Sequence, residues 1–311
     1  MFLIVKWSIK PATVEIMIRL LSRTRRLLFS LGLLIIVGSV AWGLVNRIIT
    51  GEPRISWWVV AVACACILYG LAATSFSPIA RTQTLEVSPP VHGHWLAVNS
   101  PSSKLPSHGT HGYGQAFAAD FVLYLNDSNF ELPHTSPGRG FKRPEEFPSF
   151  GMPIFAPAQG VVVHVSDSSR DHRSRTSFLA LLYFYVESFI RDLMGTRQMF
   201  GNHIVLRLED GSHFVFAHLR RDSARVRIGQ EINTGDVIGE CGNSGNSTEP
   251  HLHCQRQDIA SPARAVGLPW SIASTGIPKN HGFLDDSIHD SSERESRSDG
   301  DNESAVPGFK A

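Results

Sequence analysis

The sequence predicts a mainly β protein: an antiparallel β-sheet domain with an inserted helix, preceded by an α-helical transmembrane hairpin. Three observations lead there. First, Leu27 to Val45 and Ile55 to Ala73 are uncharged, strongly apolar stretches of about 19 residues, each long enough to cross roughly 30 Å of hydrocarbon as a helix. Second, short apolar runs follow one another between Gly- and Asn-rich turns: Phe117 to Leu125, Gly160 to Val165, Asn202 to Leu208, His213 to Leu219, Val237 to Cys241 and His251 to Gln255. Third, Phe178 to Met194 is too long for a strand and is apolar except at Glu187, Ser188, Arg191 and Asp192, which predicts a helix of about four to five turns.

In chain order, residues 1–78 form the anchor. Asn46 to Arg54 is a short connection with a Gly51-Glu52-Pro53 turn, and Trp57 and Trp58 suit the membrane interface. Arg23, Arg25 and Arg26 also flank the first apolar stretch as they would in a secretory signal. That stretch has no small-x-small cleavage site, so an uncleaved anchor is expected, and Met17 is a candidate start. Lys6, Lys10, Arg19, Arg23, Arg25 and Arg26 precede the first span, against Arg47 and Arg54 after it, which places the N-terminus in the cytoplasm. Two spans then return the following domain to the same side. A Ser-, Thr- and Pro-rich linker, Ser75 to Pro90, leads into a domain expected over residues 79–270, with a helical insertion at 168–199. Residues 271–311 are expected to be a polar tail, since Asp285 to Glu303 contains only Ile288 as an aliphatic residue and is too polar to bury a core.

Composition narrows the function. At 42% hydrophobic and 18% charged, 311 residues support one core of about 150 to 200 residues plus these additions. A net charge of +1 and the lack of a basic stripe give no case for nucleic acid. Cys64 and Cys66 lie in an apolar run and read as small hydrophobes, while Cys241 and Cys254 are the one pair a disulfide would join.

The chemistry gathers at Glu249-Pro250-His251-Leu252-His253, just after the turn Gly239 to Asn246. Side chains alternate along an extended strand, so His251 and His253 point the same way. A lone His-x-His is usually a solvated pair. This one shares the chain with Ser107-His108-Gly109-Thr110-His111, with Asp120 in Phe117 to Phe121, and with His218 in Phe214 to Leu219, each beside a strand-like run. Imidazole and carboxylate are preferred zinc donors, and a metallohydrolase also needs proton-transfer groups nearby.

Taken together, Gly229 to Gly239, Gly242 to Thr248 and Pro250 to His253 resemble the C-terminal half of the lysostaphin-type zinc endopeptidases that cut peptidoglycan peptides, and the similar stretch runs from about Pro90 to about Gln257. The resemblance implies a Zn2+ ion held by His111, Asp120 and His253, with His218 and His251 handling the water and the developing oxyanion. It departs from the better-known members in spacing: His111 precedes Asp120 by nine positions rather than four, which leaves His108 as the alternative first ligand. The turn Gly112-Tyr113-Gly114 favours His111 by looping the chain back toward Asp120.

The partners implied are peptidoglycan peptides and, beside the anchor, membrane lipid. No protein partner is indicated. Wall peptide lies outside the cytoplasm, so the implied substrate conflicts with the charge count. Either one apolar run does not span, or the orientation is inverted, or the substrate is not mature wall. The alternative function is a non-catalytic module of the same fold that binds wall peptide or regulates another hydrolase. A lipoyl- or biotin-carrier reading of Gly235 to Gly239 fails because no Lys lies at that hairpin. His203 and His213 are expected to be structural, and His134, His164, His172, His281 and His289 to be surface residues. Three placements are open for the inserted helix: packed on the sheet, covering the cleft, or lying on the membrane with Arg170, Arg173 and Arg175 as its cationic partners.

Overall fold

The structure, a computed structural model, describes residues 11–125 and 140–285. Helices α1 (Pro11–Thr50) and α2 (Trp57–Phe76) form an antiparallel pair. Bare glycines let them approach. A Cβ on Gly32 would stand 2.7 Å from Ala63 O, and one on Gly70 would stand 2.7 Å from the Phe29 Cβ. Both helices are long and apolar enough to cross a membrane. At about 1.5 Å per residue, however, the 40 residues of α1 reach roughly twice the hydrocarbon thickness.

The surplus first turns of α1 lie on the β domain. Ser22 Oγ donates to Ala265 O at 3.0 Å, and Arg23 donates to Arg264 O at 3.0 Å and to Asp258 Oδ2 at 3.1 Å. The C-terminal end of α2 meets the same domain, where His111 N donates to Thr74 O at 2.9 Å. The β domain and the start of α1 therefore lie at the same end of the hairpin.

The strands are β1 (Leu85–Val87), β2 (His94–Asn99), β3 (Ala119–Leu123), β4 (Pro153–Phe155), β5 (Gly160–Ser166), β6 (Asn202–Leu208), β7 (His213–Leu219), β8 (Glu231–Ile232), β9 (Val237–Glu240), β10 (Leu252–Gln257), β11 (Gly267–Leu268), β12 (Trp270–Ile272) and β13 (Phe283–Asp285). The main sheet runs β13-β2-β3-β10-β7-β6-β5-β8, with β11 on β10, and its pairings are antiparallel. β4 with β9 and β1 with β12 form two small sheets. Alternation divides the main sheet. Phe214 and Phe216 join Trp95, Phe121, Ile204 and Leu206 in the core, which also takes Ile154 of β4 and Ile238 of β9. Val215 and Ala217 cluster instead with Tyr113, Phe200 and Val205.

The inserted helix α3 spans Phe178–Met194, the limits of the apolar run, and a short α4 (Thr196–Phe200) follows it. Two expectations need correction. The folded part does not stop at 270: β12 pairs with β1, β13 pairs with β2, and Leu284 is buried, so residues 271–285 belong to the domain. The same pairing draws the supposed linker into the fold, with Val87 in the core. No disulfide joins Cys241 and Cys254; both thiols are free and buried, and Cys254 Sγ contacts Ala119 O at 3.7 Å. Lys6, Lys10, His134, His289 and the expected tail from 286 onward lie outside the described residues.

Candidate metal centre and catalytic histidines

Sheet register builds the centre. β10 lies between β3 and β7, and its pairings set His253 opposite Asp120 on one side and Ala217 on the other. His253 Nδ1 is 2.8 Å from Asp120 Oδ1, and His108 Nε2 is 2.9 Å from Asp120 Oδ2. One donor atom from each of these three residues lies within 4.8 Å of the others. Asn99 Nδ2 donates to Asp120 Oδ2 at 2.8 Å, and Ser107 Oγ stands 3.0 Å from His108 Nδ1.

The protonation pattern follows from the partners. Gln255 Nε2 donates to Tyr113 O at 2.8 Å and to Gln257 Oε1 at 2.6 Å, which turns Gln255 Oε1 toward His253 Nε2 at 3.0 Å. An amide oxygen only accepts, so His253 Nε2 carries the proton and, in a neutral ring, a bare Nδ1 faces a carboxylate oxygen. Two lone pairs at 2.8 Å repel unless a positive charge joins them, and a cation bound between them would supply it. Burial pushes the Asp120 carboxyl up, but the imidazoles of His108, His251 and His253 packed around it outweigh burial and hold the group well below the usual carboxylate range. An ionised Asp with two imidazoles is a donor set that suits zinc and leaves a coordination position open.

Beside this triangle stand His218 and His251, with ring centroids 4.9 Å apart. His218 Nδ1 donates to Ser244 O at 2.8 Å and His251 Nδ1 to Glu249 O at 2.8 Å. Carbonyl oxygens fix the proton on Nδ1 in both rings, leaving Nε2 bare. His251 Nε2 lies 3.8 Å from Asp120 Oδ1. Burial lowers the pKa of both rings, in His218 with the help of neighbouring His251 and His253, so each is a neutral proton acceptor.

The loop that holds His218 is itself held. Ser244 Oγ donates to Leu219 O at 2.7 Å and accepts from Asn202 N at 2.9 Å. Gly201 (φ 60°) and Gly245 (φ 74°) press backbone to backbone, where a Cβ on either would come within 2.4 Å of the other segment. His218, at the end of β7, also adopts the left-handed region (φ 60°), a conformation that costs a non-Gly residue about 1 to 3 kcal/mol.

Asp120, His218, His251 and His253 are thus brought together as the sequence anticipates, and His111 is not. Tyr113 (φ 56°) and Gly114 (φ 74°) are both left-handed, so the turn aims Tyr113 inward and leaves His111 against Thr74 of the hairpin, where burial and nearby Arg25 lower its pKa. His108 is the histidine that reaches Asp120. His172, expected at the surface, is buried with Nε2 2.9 Å from Gly245 O. Asn99 and Gln255 were not anticipated. Gln255 had a visible signal, because 251, 253, 255 and 257 continue one every-second-residue series along one face.

Residues 188–264 match Peptidase family M23. Over that segment the chain is similar to the lysostaphin-type members of the family. It is 33% identical over 84 residues to the DD-carboxypeptidase/endopeptidase Mpg of Neisseria meningitidis, covering 27% of this chain and 17% of that protein. It is 32% identical over 79 residues to the peptidoglycan DD-endopeptidase ShyA of Vibrio cholerae, covering 25% and 18%. It is 39% identical over 56 residues to the glycyl-glycine endopeptidase ALE-1 of Staphylococcus capitis, covering 18% and 15%. The chain thus spans less than a fifth of the length of these curated relatives. The lysostaphin catalytic domain of Staphylococcus simulans aligns at TM-score 0.29 and 21% identity, over 57% of this chain and 88% of that one. The family match contains His218, His251 and His253 and excludes His108, His111 and Asp120.

Proposed function

We propose that the protein is a membrane-anchored zinc endopeptidase that hydrolyses peptide bonds of peptidoglycan stem or cross-bridge peptides. The observation that carries this reading is the convergence of His108, Asp120 and His253 beside two histidines that present bare Nε2 atoms. His108 Nε2, a carboxylate oxygen of Asp120 and His253 Nδ1 would hold the metal. Bound zinc supplies Lewis acidity toward the scissile carbonyl and toward an attacking water. His218 and His251 take a proton at Nε2 and return it to the departing amine, while their Nδ1–H groups stay tied to Ser244 O and Glu249 O. His218 is buried, and Phe200 packs edge-on against His253 at 5.7 Å between centroids.

The test is zinc content and cleavage by the full-length chain in detergent. We expect close to one zinc per chain, lost in Asp120→Ala and His253→Ala. His218→Ala and His251→Ala should retain zinc and lose cleavage of peptidoglycan peptides by about 10²-fold or more. Full zinc in both ligand variants would overturn the metal site. Wild-type protein that binds zinc and wall peptide but cleaves none would instead establish the non-catalytic module. Because the β domain lies at the same end of the hairpin as the start of α1, a topology reporter fused after Asp285 also tells which membrane face meets the substrate.

A further inference from the structure

Helix α3 has two unlike faces, and the polar one is docked. Ser188 Oγ donates to Asn246 Oδ1 at 2.7 Å, Arg191 donates to Gly245 O, and Glu187 receives the buried Arg175 guanidinium at 2.8 and 3.2 Å. The opposite face carries Phe178, Leu182, Tyr185, Val186, Phe189 and Leu193 at spacings of three and four, and these side chains are 44% to 82% exposed. An apolar stripe on a globular helix ordinarily seats on the core. Here it is uncovered, and a contiguous apolar face of this length marks an interaction site.

The place of α3 names the partner. Its C-terminal end is tied to α1 at Arg26: Arg26 Nη2 donates to Asp192 O at 2.5 Å, and Tyr113 OH donates to Asp192 Oδ1 at 2.7 Å. Arg26 is the last charged residue before the apolar run that opens at Leu27. The C-terminal end of the uncovered stripe therefore lies where α1 leaves the domain for its apolar run, along which Leu27, 67% exposed, and Leu34, 69% exposed, are uncovered too.

We infer that α3 is an interfacial helix whose apolar stripe lies in the headgroup–acyl boundary of the bilayer that α1 and α2 cross, with phospholipid as the partner; this rests on the proposed membrane-spanning role of the hairpin. The contact has a consequence for the site. The residues that dock α3, Gly245 and Asn246, follow Ser244, whose carbonyl fixes His218 Nδ1, so lipid contact braces the segment that orients a catalytic histidine. Arg175 does not serve as a lipid-facing cation, since it is buried and paired with Glu187.

The experiment uses the full-length chain in phosphatidylethanolamine–phosphatidylglycerol vesicles, with a photoreactive phenylalanine analogue placed singly at Val186, at Leu34 of α1, or at Ile228, an exposed residue of the β domain. We expect lipid adducts, identified by mass, from Val186 and Leu34 and none from Ile228. An adduct at Leu34 without one at Val186 overturns the inference while the hairpin reading stands. No adduct at either position overturns both. A Val186 adduct to a second copy of the chain replaces lipid by self-association. With the probe at Phe189, Leu182→Glu should lower the lipid-adduct yield about fivefold or more, because a carboxylate resists transfer from water into the bilayer boundary, and an unchanged yield would also sink the proposal.

Discussion

The two halves of the candidate site are built differently. His218, His251 and His253 lie within the family-matched segment: His253 is fixed by strand register, His251 by the carbonyl of Glu249 two residues before it, and His218 by the carbonyl of Ser244 in the loop after β9. Asp120 and His108 lie outside that segment. Asp120 is placed by register with His253, but His108 is placed by a loop whose path depends on Ser107 binding Gln115 O and Ala116 O and on the left-handed Tyr113-Gly114 pair. Register is local arithmetic and shows in a sequence. A loop path is a tertiary result and does not.

The largest expected effect tests that contrast at its weakest point. His108→Ala should lose bound zinc, whereas His111→Ala should keep it, because His111 stands against Thr74 and not against Asp120. Metal analysis of the two folded variants reads this directly. The reverse pattern would mean that the loop closes on the other histidine and that the first half of the centre is misplaced.

The same contrast explains what else the sequence allowed to be seen. The hairpin, α3 and strands β3, β5, β6, β7, β9 and β10 announce themselves by run length and periodicity, and the His-x-His face follows from alternation; β2 does not. β1, β4, β8 and β11–β13 are two or three residues long, and β4 and β12 lie against prolines at Pro153 and Pro269; such strands exist because neighbours pair with them, not because of their own pattern. Residues 271–285 read as a polar tail in the sequence for that reason. Asn99 was invisible as well, since its tie to Asp120 crosses between β2 and β3 at a register shift.

A second, smaller effect sharpens the comparison within the matched half. Gln255 holds the His253 ring so that Nδ1 faces Asp120, and removing such a support typically weakens metal binding by about 10- to 100-fold. Competition titration with a zinc chelator should show this loss in Gln255→Ala. Unaltered affinity would mean that register alone orients His253.

The last effect, which leaves metal binding aside, lies at the side chain of Glu249, whose backbone carbonyl ties His251. Burial pushes the carboxyl of Glu249 up to about 7 from a usual value near 4.5, against the pull of Lys142. Below about pH 4.5 both folded and unfolded chains hold this proton. As the pH rises toward 7 the unfolded chain ionises while the folded one keeps the proton, so stability falls across that window and the loss is complete above it, amounting to about 3 kcal/mol at most. Glu249→Gln mimics the protonated form and escapes the loss. Thermal unfolding of both proteins at saturating zinc should therefore show the variant gaining several degrees over wild type at pH 8 and much less at pH 5. Parallel pH profiles would show that the carboxyl ionises freely in the fold, and that the segment around His251 is more open to water than the His218 side of the same half.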